Sequence, residues 1–113
     1  MLVRHPTNIR RKDRELFAFA GIYDIWKGTQ ENEIKTFAII TTAPNEFLAQ
    51  VHNRMPVILQ PEQETVWLTT EPDNIDSLLQ SLRPLPPDQL EMYPVSRNVN
   101  WARNDSPELI QRV

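Results

Sequence analysis

Residues 39–45 read IITTAPN and residues 51–59 read VHNRMPVIL, and these two stretches set the order of elements in the middle of the chain. The first completes a β-branched and aromatic run over residues 34–42, which predicts a strand. Asn45 can then cap a short helix over residues 46–51, because its side chain can accept a hydrogen bond from a first-turn amide. The last five residues of the second stretch predict another strand, so the pattern indicates a strand, a helical turn and a second strand.

Similar patterns predict strands on both sides of this unit. An apolar run over residues 16–23 predicts a buried strand, which can pair antiparallel with residues 34–42 across a polar turn at residues 26–32. Residues 91–96 predict a further strand, followed by a mixture of strand and turn to Val113. The sheet is therefore expected to be twisted and mainly antiparallel.

Two helices are expected after the central unit. Pro61 suits the first turn of a helix that runs to about Leu68, with Trp67 and Leu68 facing the core. Asp73 can cap a second helix, which Pro84 stops. The apolar residues of this second helix follow the spacing of one helix face: Ile75, Leu78, Leu79 and Leu82. Ten prolines and two glycines favour short elements, so we predict an α+β domain with short peripheral helices.

The composition limits the functions open to the chain. A net charge of −3 argues against wrapping duplex DNA through bulk electrostatics, so any contact with nucleic acid must be local. The basic residues before position 15, which include Arg4, are either a solvated tail or a contact for the DNA backbone. The absence of cysteine excludes disulfides and thiolate chemistry within these 113 residues. We expect no metal, no cofactor, no membrane span and a cytoplasmic location.

Three residues of the central unit are candidates for chemistry. His52 can act as a proton shuttle, or its place at a helix C-terminus can reflect the helix dipole alone. Arg54 can bind a phosphate in bidentate fashion, or it can pair with a carboxylate such as Asp105 or Glu46. Thr41 can donate to a phosphate oxygen, or it can satisfy local hydrogen bonds at a strand end. The residues alone leave these alternatives open.

The two quoted stretches, with YPVS at residues 93–96 and NDSPELI at residues 104–110, resemble the SOS response-associated peptidase (SRAP) family. The resemblance begins near Phe17 and continues through nearly all of the chain. It implies a partial barrel-like SRAP fold and makes residues 1–113 a single partial domain that lacks the N-terminal catalytic segments.

The family resemblance also implies an activity. Family members sense abasic sites in single-stranded DNA through an N-terminal cysteine, which forms a thiazolidine link with the open sugar aldehyde. An asparagine, a glutamate in a G-F-Y-E-W run and the histidine of an H-x-R-x-P pattern complete the site. By this resemblance His52 is the catalytic residue, and Thr41 and Arg54 are DNA-binding residues.

The sequence departs from the family at the nucleophile. Leu2 follows Met1, so the cysteine is missing. The GIYDIW segment at residues 21–26 matches a later family segment than G-F-Y-E-W, and Asp24 is therefore not assigned the role of the glutamate. The chain is expected to be inactive alone as a cysteine-dependent peptidase or DNA-crosslinking enzyme.

Two functions from different classes remain. In the first, the chain belongs to a DNA-damage crosslinking and autopeptidase system that is active only when another polypeptide supplies the missing half. In the second, the chain is a non-catalytic remnant or an interaction module. A truncated domain is expected to expose an unpaired edge and apolar surface, to be covered by an N-terminal SRAP fragment or by self-association. Binding to single-stranded DNA is expected to be weak.

Overall fold

The computed structural model describes residues 5–29 and 32–113, and within these residues it contains eight strands and two α-helices. The strands are β1 (Thr7–Arg11), β2 (Ala18–Phe19), β3 (Gly21–Lys27), β4 (Glu33–Ile39), β5 (Thr41–Thr42), β6 (Met55–Pro56), β7 (Ile58–Leu59) and β8 (Leu90–Pro94). The α-helices are α1 (Pro61–Thr69) and α2 (Ile75–Leu79). Short 3-10 turns lie at Leu48–Gln50, Pro72–Asn74, Pro87–Gln89, Arg97–Asn100 and Pro107–Ile110.

The strands pair antiparallel, two by two, as β1 with β8, β2 with β7, β3 with β4 and β5 with β6. This arrangement confirms the predicted α+β class, and the described strands do not close a barrel. The chain divides into two compact units, one of Met1–Leu16 with Asp88–Val113 and one of Phe17–Pro87.

Three residues of the larger unit form a junction in which each extended segment changes its partner. Ala20 separates β2 from β3, Ile40 separates β4 from β5, and Val57 separates β6 from β7. The Ala20 N–H donates to the Val57 carbonyl at 2.8 Å, the Val57 N–H to Ile40 at 2.9 Å, and the Ile40 N–H to Ala20 at 3.0 Å. The three strands predicted as continuous are therefore each interrupted, because each segment pairs with two different neighbours.

The core of this unit surrounds the junction. Ala20 and Val57 are completely buried, and they pack with other apolar side chains: Leu59, Ile40, Trp67 and Leu82. The Trp67 indole N–H donates to the Gly21 carbonyl at 3.0 Å, so α1 is attached to β3 by a hydrogen bond as well as by packing. Leu68 is 83% exposed, and its predicted place in the core is wrong. Successive helix positions differ by about 100°, and this rotation turns Leu68 toward solvent once Trp67 faces inward.

The predicted helices exist, but two of them are shorter than the patterns indicate. The segment after Asn45 forms only the 3-10 turn at Leu48–Gln50, whose N-cap is Phe47. The predicted bond is present, because the Asn45 side-chain oxygen accepts from the Leu48 N–H at 2.8 Å. Helix α2 ends at Leu79, and the bonds that follow are of the i→i+3 type, consistent with the restriction that Pro84 imposes on the preceding residue. Asp73 lies in the preceding 3-10 turn and not at the N-cap of α2.

The smaller unit consists of β1, β8 and the C-terminal turns. Strands β1 and β8 pair over five residues each. Leu90 and Tyr93 of β8 are buried, as is Val95, which follows it. Beyond β8 the chain forms 3-10 turns and one β-bridge between Val95 and Arg112, where strand and turn were predicted. Because β1 is a paired strand, the solvated-tail interpretation is wrong for its residues; Arg4 lies outside the described residues. None of the described helices is long and apolar enough to cross a bilayer.

Replacement of Val57 by alanine is expected to destabilise the fold, because Val57 is completely buried and the shorter side chain leaves a cavity at the junction. Large-to-small core changes of this size cost about 1 to 3 kcal/mol of unfolding free energy. Val51→Ala is the matched control, since Val51 is 41% exposed, and it should cost no more than about 0.5 kcal/mol. Urea denaturation measures both values, and equal losses in the two variants would show that the junction is not the centre of the core.

The ion pair of the smaller unit predicts an acid dependence of stability. The Arg10 guanidinium donates to Glu91 at 2.6 Å and holds the pKa of that carboxyl below its ordinary value. A carboxyl with a lowered folded-state pKa stabilises the fold above its unfolded pKa, and this contribution disappears as the pH falls through the lowered value. The gap in unfolding temperature between the wild type and Glu91→Gln should therefore narrow as the pH falls below about 5. Glu108→Gln serves as the control, and a constant gap for Glu91→Gln contradicts the prediction.

Candidate functional site

Thr41 and Arg54 are brought together by the pairing of β5 with β6. Thr41 lies opposite Pro56 in this ladder, and Arg54 lies two residues before Pro56, so the two side chains are on the same face. The Arg54 guanidinium donates to the Thr41 hydroxyl oxygen from Nη2 at 3.0 Å and from Nε at 3.3 Å. Both residues are exposed, and this contact holds the guanidinium at the surface in one orientation.

The Thr41 contact leaves Arg54 with binding capacity. A guanidinium has five N–H groups, and only two of them are used by Thr41. In the described part of its own unit Arg54 forms no ion pair, so the predicted alternative of a tie to Glu46 is wrong. The Thr41 hydroxyl accepts from Arg54, and its own hydrogen is free to be donated. The pair therefore offers several donors to an anion.

His52 is fixed on both sides by local hydrogen bonds. Its backbone N–H donates to the Leu48 carbonyl at 2.9 Å, which attaches it to the 3-10 turn. Its ring Nδ1 lies 3.0 Å from both the N–H and the carbonyl oxygen of Arg54. A neutral Nδ1 can accept from that N–H, and a protonated Nδ1 can donate to that carbonyl, so the ring keeps a partner in either state. The exposed Nε2 has no partner among the described residues.

The turn before His52 is positioned by a buried polar side chain. Asn45 is 7% exposed, and its amide donates to the Leu85 carbonyl at 2.7 Å while its oxygen accepts from Leu48. Its own backbone N–H contacts the Met55 sulfur at 3.2 Å. Asn45 thus connects the turn to β6 and to the segment after α2, which holds His52 in a defined place.

The structure brings all three predicted site residues into one hydrogen-bonded group. Thr41 contacts the Arg54 side chain, and His52 contacts the Arg54 backbone. The direct contact between Thr41 and Arg54 was not predicted. The sequence places Thr41 at the end of one predicted strand and Arg54 at the start of the next. Their contact could be predicted from these positions only if the register between the two strands were known. The link from Asn45 to Leu85 had no sequence signal, because it joins residues 40 positions apart.

Comparisons with known proteins agree with the resemblance. The sequence matches the SOS response associated peptidase (SRAP) family over residues 3–102. It is 48% identical over 109 residues to the abasic site processing protein YoqW of Bacillus subtilis, with 94% of this chain and 47% of that protein covered. It is 32% identical over 96 residues to the abasic site processing protein HMCES of Rattus norvegicus, with 84% and 27% covered.

Solved structures give the same result at the level of the fold. A crystal structure of a Bacteroides thetaiotaomicron protein superimposes with a TM-score of 0.79 at 33% sequence identity, and the match covers 96% of this chain and 48% of that one. The chain therefore spans about half the length of YoqW and of this crystallised protein. On the sequence match, the chain belongs to the SRAP family.

Proposed function

We propose that the chain takes part in the processing of abasic sites in single-stranded DNA, and that Thr41, His52 and Arg54 contact the damaged strand. The observation that carries this proposal is the exposed hydrogen-bonded group that these three residues form. The names of the relatives YoqW and HMCES, both abasic site processing proteins, supply the substrate class.

Each residue of the group has a role that suits its contacts. Arg54, oriented by Thr41, binds a backbone phosphate beside the lesion through its remaining N–H groups. Thr41 donates its hydroxyl hydrogen to the same phosphate. His52 presents Nε2 to the opened sugar and transfers a proton there, while Nδ1 keeps its contact with the Arg54 backbone. Arg54 and Thr41 thus bind the strand, and His52 transfers the proton.

The nucleophile is proposed to come from another polypeptide segment, because these 113 residues contain no cysteine. The surface proposed for that segment is the β3–β4 hairpin. Tyr23 and Phe37 lie directly opposite each other in this hairpin and are 78% and 79% exposed. Such a pair of large apolar side chains on one face of a two-stranded ladder is typical of a contact surface. A second copy of the chain is the alternative occupant, and light scattering distinguishes the two.

A non-catalytic interaction module is the second candidate function. The observation in its favour is the combination of the missing thiol with the large exposed apolar residues of the hairpin. In this case the chain associates through the hairpin, and His52 has a structural role only. The two candidates differ in whether His52 affects a reaction.

Arg54→Ala should weaken binding to an undamaged single-stranded oligonucleotide and lower the slope of log affinity against log salt by about 0.7, the value for one lost phosphate contact. Thr41→Val keeps the charge but removes the hydroxyl that orients it, so it should cause a smaller loss of affinity with an unchanged slope. Fluorescence anisotropy over a salt series measures both. Arg83→Ala, which removes the same charge from another exposed position of the unit, is the control. An equal effect of Arg83→Ala would show that only net charge matters.

The isolated chain should form no heat-stable adduct with abasic single-stranded DNA, because it has no thiol. When a SRAP fragment carrying the cysteine, asparagine and glutamate is added, crosslinking should appear on a denaturing gel. His52→Ala should then slow it by about 10² to 10⁴, the range for a lost acid–base group.

Two further variants make this reconstitution decisive. Asn53→Ala changes the exposed neighbour of His52 and should leave the rate unchanged. Phe37→Ser should prevent assembly through the hairpin and abolish crosslinking. If the complex crosslinks equally well with alanine at position 52, the acid–base role is refuted and the interaction-module function stands.

A further inference from the structure

The β1–β8 ladder places cationic and anionic side chains on one face. Its register sets Asn8 opposite Tyr93 and Arg10 opposite Glu91, so these four residues share a face of the ladder. The C-terminal segment covers the same face, because the Tyr93 hydroxyl donates to the Ile110 carbonyl. Charged residues from two distant parts of the chain therefore meet here.

Tyr93 organises the arginines of this face. Tyr93 is 4% exposed, and the Arg10 and Arg112 guanidinium carbons lie 4.8 Å and 4.9 Å from the centroid of its ring. Its hydroxyl also accepts from the Asn8 amide at 2.9 Å, which fixes the ring further. Arg10 also donates from Nε to Glu91 at 2.6 Å and from Nη1 to the Tyr93 hydroxyl at 3.4 Å, which leaves three of its five N–H groups for a ligand. Arg112 donates no side-chain hydrogen bond among the described residues, so its whole donor set is available.

Arg14 adds a third cation. It ends a tight turn in which its N–H donates to the Arg11 carbonyl at 2.9 Å, and its φ of 63° is in the left-handed region. The Arg10 hydrogen bond is the main cause of the lowered pKa of Glu91, and the charges of Arg14 and Arg112 act in the same direction. The Arg10 guanidinium contacts this carboxylate directly, and Arg112 shares the Tyr93 ring with Arg10. Arg14 lies in the turn that follows β1, at the end of the ladder where the Lys12 N–H donates to the Gln89 carbonyl. Arg11 is bound to Asp13 at 2.6 Å and is not counted with them.

The excess charge of this face has a sign opposite to that of the whole chain. Arg10, Arg14 and Arg112 against Glu91 give three positive charges and one negative, a local balance of +2 on a chain of net charge −3. A local positive region on an acidic protein can attract a polyanion even when the net charge of the protein is negative. Free guanidinium donors match the oxygens of phosphate in geometry as well as in charge.

We infer that Arg10, Arg14 and Arg112, here called the arginine face, bind backbone phosphates of single-stranded nucleic acid as a contact separate from Thr41 and Arg54. The choice of a nucleic acid as the polyanion rests on the proposed function, whereas the phosphate chemistry rests on the arginines themselves. The contact is to the backbone and reads no base, so it is independent of a lesion. It gives the chain affinity for undamaged single strand.

The double variant Arg14→Gln with Arg112→Gln tests this inference with an undamaged oligothymidylate. The slope of log affinity against log salt should fall by about 1.4, twice the 0.7 expected per phosphate on a single strand. Glu91→Gln, which removes the one carboxylate of the face, should tighten binding at low salt. Arg97→Gln with Arg103→Gln is the matched control, because it removes two exposed arginines of the same unit outside the face.

The outcomes separate this inference from the proposed function. Equal slopes in the two double variants refute the arginine face, as does a loss seen with anionic lipid vesicles but not with the oligonucleotide. Arg112 packs on Tyr93, so Arg14→Gln alone is the variant least able to disturb folding, and it should lower the slope by about 0.7. If the arginine face variants weaken binding while Arg54→Ala and His52→Ala change nothing, the proposed function fails and the arginine face stands. The reverse result refutes the arginine face alone.

Discussion

The ring of three backbone hydrogen bonds among Ala20, Ile40 and Val57 is the interaction on which the larger unit depends. Each of the three residues lies between two strands that pair with different neighbours, so all three segments meet at the ring. A ladder of two residues is too short to be stable by itself, and β2, β5, β6 and β7 have two residues each. These strands persist because the buried junction fixes one end of each.

The site is a direct extension of that junction. Thr41 follows Ile40 in sequence, and Arg54 precedes the two residues of β6 that lead to Val57. A displacement of the junction by one residue would turn Thr41 to the opposite face and separate it from Arg54. The exposed group of Thr41, His52 and Arg54 is therefore positioned by the buried residues of the junction. This explains how Arg54, although at the surface, can be held in one orientation.

Sequence patterns predicted the type of most elements but not the points where strands change partners. The β-branched runs around residues 34–42 and 55–59 indicate extended backbone, whereas the interruptions at Ile40 and Val57 result from pairing with segments distant in sequence. Asn45 was predictable as a cap because capping is local, but its bond to Leu85 is not local. The same limit applies to the site: the residues Thr41 and Arg54 could be selected, but their mutual contact could not.

Arginine suits both proposed phosphate contacts of this acidic chain, the one at Thr41 and the one at Tyr93, for a physical reason. At Thr41 the guanidinium is oriented by hydrogen bonds, and at Tyr93 two guanidinium groups are held over an aromatic ring. A lysine ammonium lacks the planar group that is oriented by Thr41 or stacked on Tyr93. It would therefore lose more side-chain entropy on binding a phosphate. Orientation before binding reduces that entropic cost, and local geometry can thus compensate for a net charge of −3 that repels a polyanion.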